Sequence, residues 1–164
     1  MTKTLLDKAY ANLSVAGNLF PQIRDERQFD FVGYHIQQGV EDLIKFILEQ
    51  NGCEYPKSHN IRQLIQLAES HDVDLLIPDY LEDHAEMLTE WEAMSRYDSE
   101  FSLDAKRAVQ SYTEALTYFS HVAHIFTHET YPEFPKLSQE VLDIVFPPES
   151  DLNKNAVNNA KNRD

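Results

Sequence analysis

A row of polar side chains recurs at helical spacing in the first half of the chain. The residues that share this spacing are Tyr34, Gln38, Glu41 and Lys45. Intervals of four, three and four residues place them on one face of a helix, and His35 lies beside them. We call the four residues the polar stripe. With the neighbouring imidazole, they offer hydrogen bonds and titratable atoms to a ligand or a partner.

Three interpretations of the polar stripe are open. Glu41 precedes Lys45 by four residues, which is the better orientation for an ion pair on a helix surface and is worth about 0.2–0.5 kcal/mol. The stripe also fits a groove between helices that binds a small polar ligand or a second copy of the chain. Direct catalysis by these residues is the third interpretation.

Two residues outside the stripe are further candidates for the same groove. His59 directly precedes a predicted helix, where it either bonds to the turn or, in a cleft, serves as an acid–base group. Arg96 lies at the end of another predicted helix, where a cation is favoured by the helix dipole or contacts the ligand. We therefore add both residues to the candidate ligand-binding or dimer groove.

Metal and cofactor chemistry have little support in the sequence. His124 and His128 have the spacing to chelate one ion, but His121 and His128 are two turns apart, about 10 Å, which is too far to share it. There is no glycine-rich phosphate loop, cysteine pair or nucleophile elbow. Cys53 is the only cysteine, so no internal disulfide forms. We predict no catalytic residue, no metal and no cofactor.

The polar stripe belongs to a predicted helix over residues 29–51 whose other face is apolar. That face consists of Val32, Ile36, Val40, Leu43, Ile44, Ile47 and Leu48. Spacings of three and four are typical of a helix that faces a core. Gly33 and Gly39 within it predict close approach of a neighbouring helix, and Gly52 suits the left-handed residue just past its end.

The same reasoning predicts the other helices. They cover residues 3–20, residues 61–71 with Ser58 or Asn60 as cap, residues 79–96 with Asp79 as cap, a helix from a Ser102 cap to Thr127, and residues 137–146. The helix that ends at Thr127 has an apolar seam of Val109, Tyr112, Leu116, Phe119, Ala123 and Phe126. Long helices with short connections predict an all-α fold, an antiparallel up-and-down four-helix bundle with an additional short helix.

Composition limits the domain count and the partners. The 164 residues fit one bundle over residues 1–130, an extra C-terminal helix and linker over residues 131–148, and a disordered Asn-rich tail over residues 149–164. A net charge of −14 repels phosphate backbones, so we expect no strong nucleic-acid binding. No signal segment opens the chain and no apolar stretch approaches the roughly 18 residues of a membrane span. We predict a cytoplasmic protein without membrane contact.

Three separated segments resemble a HEPN domain, the higher eukaryotes and prokaryotes nucleotide-binding domain. They are the run YHIQQGVEDLIK at residues 34–45, PKSHNI with Leu64 and Ile65 after it, and Ser95-Arg96-Tyr97. The resemblance extends over about residues 5–126. It implies a helical bundle, usually a homodimer, that often accompanies a nucleotidyltransferase in toxin–antitoxin or defence operons.

Many proteins of this family are metal-independent ribonucleases with an Arg, four to six residues, and a His. This chain departs from that pattern, because seven residues separate Arg27 from His35 and the first His after Arg107 is His121. We therefore predict a non-catalytic or degenerate HEPN protein, a dimeric module that binds a nucleotide-like ligand or a partner protein. The alternative is a ribonuclease toxin that uses His35 or His59 with an Arg.

Overall fold

The fold is all-α. The structure is a computed structural model that describes residues 3–25, 28–97 and 105–145. In these ranges it has no strand, and its helices are α1 (Leu5–Leu19), α2 (Phe29–Gln50), α3 (Ile61–Ser70), α4 (Asp79–Asp83), α5 (Ala85–Tyr97), α6 (Ala105–Phe126) and α7 (Gln139–Val145), with a 3-10 turn at Phe20–Gln22. The predicted fold class is confirmed. None of the described helices is long and apolar enough to cross a membrane.

Helix α2 is the centre of the packing. It contacts α1, α3, α5 and α6, and its seven predicted apolar-face residues are all buried. Helix α2 is followed by its C-cap residue Asn51 and then by Gly52. The φ of Gly52 is 69°, the left-handed conformation that glycine adopts without strain. The antiparallel up-and-down arrangement of four helices stays a prediction.

Side-chain caps fix where the helices on either side of α2 begin. At the start of α1, the Thr4 hydroxyl accepts from the Asp7 backbone N–H at 3.1 Å, and the Asp7 carboxylate accepts from the Thr4 N–H at 2.8 Å. This reciprocal pair is a capping box. At the start of α3, the Asn60 side chain accepts from the Gln63 N–H at 3.0 Å. Asn60, rather than Ser58, is therefore the α3 cap.

Gly39 allows α1 to lie close against α2. A Cβ atom added at Gly39 would stand 2.8 Å from Cγ and Cδ2 of Leu13 and 3.5 Å from the Ala9 carbonyl oxygen. Carbon atoms pack at about 3.5–4.0 Å, so the space exists only for glycine. The predicted use of Gly39 as a close-approach residue is confirmed.

Gly39→Ala is expected to lower the free energy of unfolding by about 1 kcal/mol. Alanine usually stabilises a helix interior by about 1 kcal/mol over glycine, but crowding fully buried Leu13 costs about 1–3 kcal/mol. Urea denaturation measures the change. In a Leu13→Ala background the same substitution should become neutral or stabilising, and additive effects of the two substitutions would contradict the account.

The predicted helix over residues 79–96 is wrong as a single helix, because His84 divides it into α4 and α5. His84 has φ −107° and ψ 22°, its Nδ1 lies 2.7 Å from the Tyr80 carbonyl oxygen, and its ring stacks on Tyr80 at 4.2 Å. The His84 backbone N–H also bonds to this carbonyl oxygen, at 3.2 Å. The predicted Asp79 cap is also wrong, since Pro78 occupies the cap position without a side-chain bond.

Helix α6 buries more than its predicted seam. Leu116, Ala123 and Phe126 are only partly buried, whereas a second row is fully covered: Ala108, Ser111, Ala115, Tyr118 and Val122. The reason is that α6 contacts α1, α2, α4 and α7, so several of its sides are buried. A single seam describes a two-helix contact and misses these additional neighbours.

The chain after α6 packs back onto the bundle. The Tyr131 hydroxyl donates to the Asp7 carboxylate at 3.0 Å, and the Tyr112 hydroxyl donates to the Pro135 carbonyl oxygen at 3.0 Å. The ring of Phe134 lies 5.2 Å from that of Phe119 in an edge contact. Helix α7 follows where a short helix was predicted. The Ser102 cap and the tail over residues 149–164 lie outside the described residues.

Candidate functional site

Glu41 is the centre of a buried polar cluster on α2. The residue is 2 % exposed. One carboxylate oxygen accepts from Lys45 Nζ at 2.7 Å and the other from Gln37 Nε2 at 2.7 Å. His59 Nδ1 lies 3.1 and 3.2 Å from the two oxygens. We call Gln37, Glu41, Lys45 and His59 the Glu41 cluster, in which a buried charge has the paired cation and hydrogen bonds that burial requires.

The positions of these groups follow from local sequence. Gln37, Glu41 and Lys45 are four residues apart on α2 and therefore share one face. His59 comes from the loop between α2 and α3, one residue before the Asn60 cap. Gln37 Nε2 lies 3.4 Å from the His59 carbonyl oxygen, a second link between helix and loop. The cluster therefore fixes the loop before α3 against α2.

The contact with Glu41 decides the tautomer of His59. An ionised carboxylate only accepts hydrogen bonds, so Nδ1 of His59 holds the proton that it donates to Glu41. In the neutral ring Nε2 is then an acceptor. The His59 side chain is 58 % exposed, against 3 % for Glu41 and 12 % for Lys45. His59 is thus the member of the cluster that a ligand reaches.

Lys45 is enclosed rather than free. Besides its ion pair with Glu41, its ammonium lies 5.6 Å from the centre of the Tyr55 ring, within the range of a cation–π contact. The Tyr55 hydroxyl donates to Glu49 at 2.6 Å. Burial and this carboxylate raise the pKa of Tyr55 to about 12. The charge of Lys45 is therefore compensated within the protein, by the Glu41 carboxylate and the Tyr55 ring.

His35, which the sequence places beside the stripe, belongs to a different cluster between α1 and α2. Its Nδ1 lies 3.0 Å from Asn12 Oδ1, and Asn12 Nδ2 donates to Asp42 Oδ2 at 3.3 Å. Burial lowers the pKa of His35. Burial, and then the charge of Glu41, raise the pKa of Asp42 to about 6. The structure thus separates His35 from the Glu41 cluster.

The remaining candidates are placed as follows. Gln38 joins the Glu41 cluster indirectly, because its Nε2 donates to Gln37 Oε1 at 2.6 Å. The ring of Tyr34 lies 5.2 Å from that of His35, edge to face. Arg96 is in the last turn of α5, and its side chain lies outside what the structure describes. Of the candidates, the structure brings together Gln38, Glu41, Lys45 and His59.

Three residues that bond to the candidates were not predicted. Gln37 is completely buried, and its position four residues before Glu41 was a signal available in the sequence. Asn12 and Asp42 join α1 to α2, and no local pattern shows which residues of two helices will meet. Sequence periodicity therefore identifies contacts along α2 and misses those made across it.

A concave surface lies away from the Glu41 cluster. It is an open groove of about 1000 Å³ between the second half of α6 and residues 127–136, with His124 and His128 along it. Its floor contains the partly buried rings of Tyr131 and Phe134. Within the described residues no group of three or more His, Cys, Asp or Glu side chains is placed to hold a metal ion.

The fold and the site together define this protein as an all-helical domain with a buried polar cluster on its central helix. The family model of the HEPN domain matches residues 2–126, from the first residues before α1 to the last residue of α6. The match covers more than half of the 164 residues, and the chain belongs to the HEPN domain family. Comparison with curated proteins and with solved structures gives no match.

Proposed function

We propose that this chain is a non-catalytic HEPN-domain protein that binds a nucleotide-like ligand at the surface around the Glu41 cluster. The observation that supports this best is the arrangement of His59, whose imidazole is oriented by a buried carboxylate while most of the side chain is exposed. A binding group held in one orientation loses little conformational entropy when a ligand binds.

The charged groups of the cluster favour binding over catalysis. Glu41 and Lys45 neutralise each other at 2.7 Å, so neither is available to attack or protonate a substrate without breaking a buried pair. The ribonuclease spacing of Arg and His is absent from the sequence. Gln38, next to the cluster and half-exposed, adds an amide for recognition.

His59→Ala is expected to weaken nucleotide binding about tenfold, the effect of losing one well-placed hydrogen bond of about 1.4 kcal/mol. Isothermal titration calorimetry of the full chain with ATP, GTP and their monophosphates measures this. His71→Ala is the matched control, because His71 is an exposed histidine after α3. The proposed ligand binding would be wrong if no nucleotide produced heat on titration. It would also be wrong if His59→Ala and His71→Ala weakened binding equally.

The wider context is part of the same proposal. We infer a cytoplasmic homodimer that accompanies a nucleotidyltransferase in a toxin–antitoxin or defence system, with a bundle over residues 1–130 followed by an extra C-terminal helix and linker over residues 131–148. Light scattering should give twice the monomer mass of 19.0 kDa, and a monomer at micromolar concentration would contradict the dimer. Inspection of the neighbouring genes tests the partner.

One observation favours a second function, a metal-independent ribonuclease toxin. A base oriented by a carboxylate is the usual arrangement of an activated histidine, and Glu41 and His59 have that geometry. In this case purified protein should cleave RNA in the presence of a chelator, and His59→Ala should abolish cleavage. Intact RNA after incubation, together with normal growth of cells that express the protein, would eliminate this function.

A further inference from the structure

The Glu41 cluster has no surplus positive charge for a phosphate group. Its one cation, Lys45, is 12 % exposed and paired with Glu41. Asp42, the next residue, adds a carboxyl group, and the loop that presents His59 has one exposed residue of each sign, Glu54 and Lys57. The whole chain has a net charge of −14. The side chains that the structure describes at this surface therefore present a neutral to negative field to an approaching triphosphate.

The hydrogen-bonding chemistry of the surface favours the nucleoside part of a nucleotide rather than its phosphates. With its Nδ1–H donating a hydrogen bond to Glu41, the exposed imidazole of His59 offers Nε2 as an acceptor. A phosphate oxygen is itself an acceptor and is not bound by such a group. A ribose hydroxyl or an exocyclic amino group of a base is an uncharged donor and is complementary to it.

On the basis of the proposed function, we infer that the Glu41 cluster binds the nucleoside part of its ligand, with an uncharged donor bonded to His59 Nε2, and gains no affinity from phosphate. The buried Glu41 then has a definite role, since it fixes the tautomer that makes the acceptor. Lys45 is a positioning residue that holds this carboxylate in place through their 2.7 Å ion pair, and it does not contact the ligand.

The test compares nucleosides with their phosphates on the unmodified full chain. We expect adenosine or guanosine to bind with a dissociation constant within about threefold of that of the matching triphosphate in calorimetry. The affinity for the nucleoside should also stay unchanged between low salt and about 0.5 M NaCl, because no charged contact is screened. Neither measurement needs a variant, so a folding defect cannot obscure the result.

Each other outcome has a distinct meaning. A triphosphate that binds at least tenfold more tightly than its nucleoside, with an affinity that falls as salt rises, would overturn this inference and leave the proposed nucleotide binding in place. Arg96→Ala would then show whether that residue holds the phosphates. Absence of binding by nucleosides and nucleotides alike would overturn the proposed ligand binding and this inference together.

Discussion

Glu41→Ala is expected to lower the free energy of unfolding by about 3–5 kcal/mol, the usual cost of removing one partner from a buried ion pair. Without the carboxylate, the ammonium of Lys45, 12 % exposed, has lost its partner at 2.7 Å. The buried amide of Gln37 and Nδ1 of His59 lose their acceptor as well. The loop before α3 loses one of its links to α2.

Chemical denaturation in urea, followed by the helical circular dichroism signal, measures this loss. Glu49→Ala is the matched control, because Glu49 is an exposed glutamate on the same helix whose side chain accepts from the Tyr55 hydroxyl at 2.6 Å. We expect it to cost less than about 1 kcal/mol. Similar losses in the two variants would show that Glu41 is not the centre of a buried network.

The sequence was sufficient to predict α2 and its two faces. The seven residues that apolar spacing placed on the inner face are all buried, because burial of one helical face is a property of the helix itself. The pairing of Glu41 with Lys45 was also predictable as a contact between neighbouring turns. Residue spacing does not show how deeply this pair is buried, because a surface ion pair and a buried one have the same sequence pattern.

The errors have a common physical origin in contacts between distant parts of the chain. Glu41 contacts His59 of the loop before α3, and no rule of helix periodicity predicts where a loop will lie. His35 was grouped with the stripe, yet it bonds to Asn12 of α1 across the helix interface. At His84 the apolar pattern continues from Leu81 to Ala85 while the backbone breaks, so periodicity concealed the break.

Asp42→Asn is expected to stabilise the protein by about 2 kcal/mol at pH 7.5 and to have little effect at pH 4. Burial and the neighbouring Glu41 raise the pKa of Asp42 from 3.8 to about 6. The folded state therefore binds the proton more tightly than the unfolded state, so ionising this carboxyl opposes folding as pH rises through the interval from about 4 to about 6. Stability therefore falls as pH rises through this interval. A salt-bridged aspartate with a lowered pKa has the opposite effect, because its stability contribution grows as pH rises.

The magnitude follows from the size of the shift and from solvent access. About two pKa units correspond to about 3 kcal/mol, and partial exposure of Asp42 reduces this to about 2 kcal/mol. Asparagine keeps an oxygen that accepts from Asn12, so the bond between α1 and α2 is retained. The loss of attraction to Lys8 opposes the gain, and it is the smaller contribution because burial is the largest cause of the shift.

Urea denaturation at several pH values measures the difference between Asp42→Asn and the unmodified chain. Asp83→Asn, at an exposed position in α4, is the control for the general benefit of removing one negative charge from a chain of net charge −14. The gain specific to Asp42 should appear between about pH 4 and pH 7 and then level off. A gain that is equal at pH 4 and pH 7.5 would mean that it does not come from the ionisation of Asp42. A loss at pH 7.5 would mean that Asp42 is stabilising as a carboxylate and that its attraction to Lys8 and its bond with Asn12 outweigh burial.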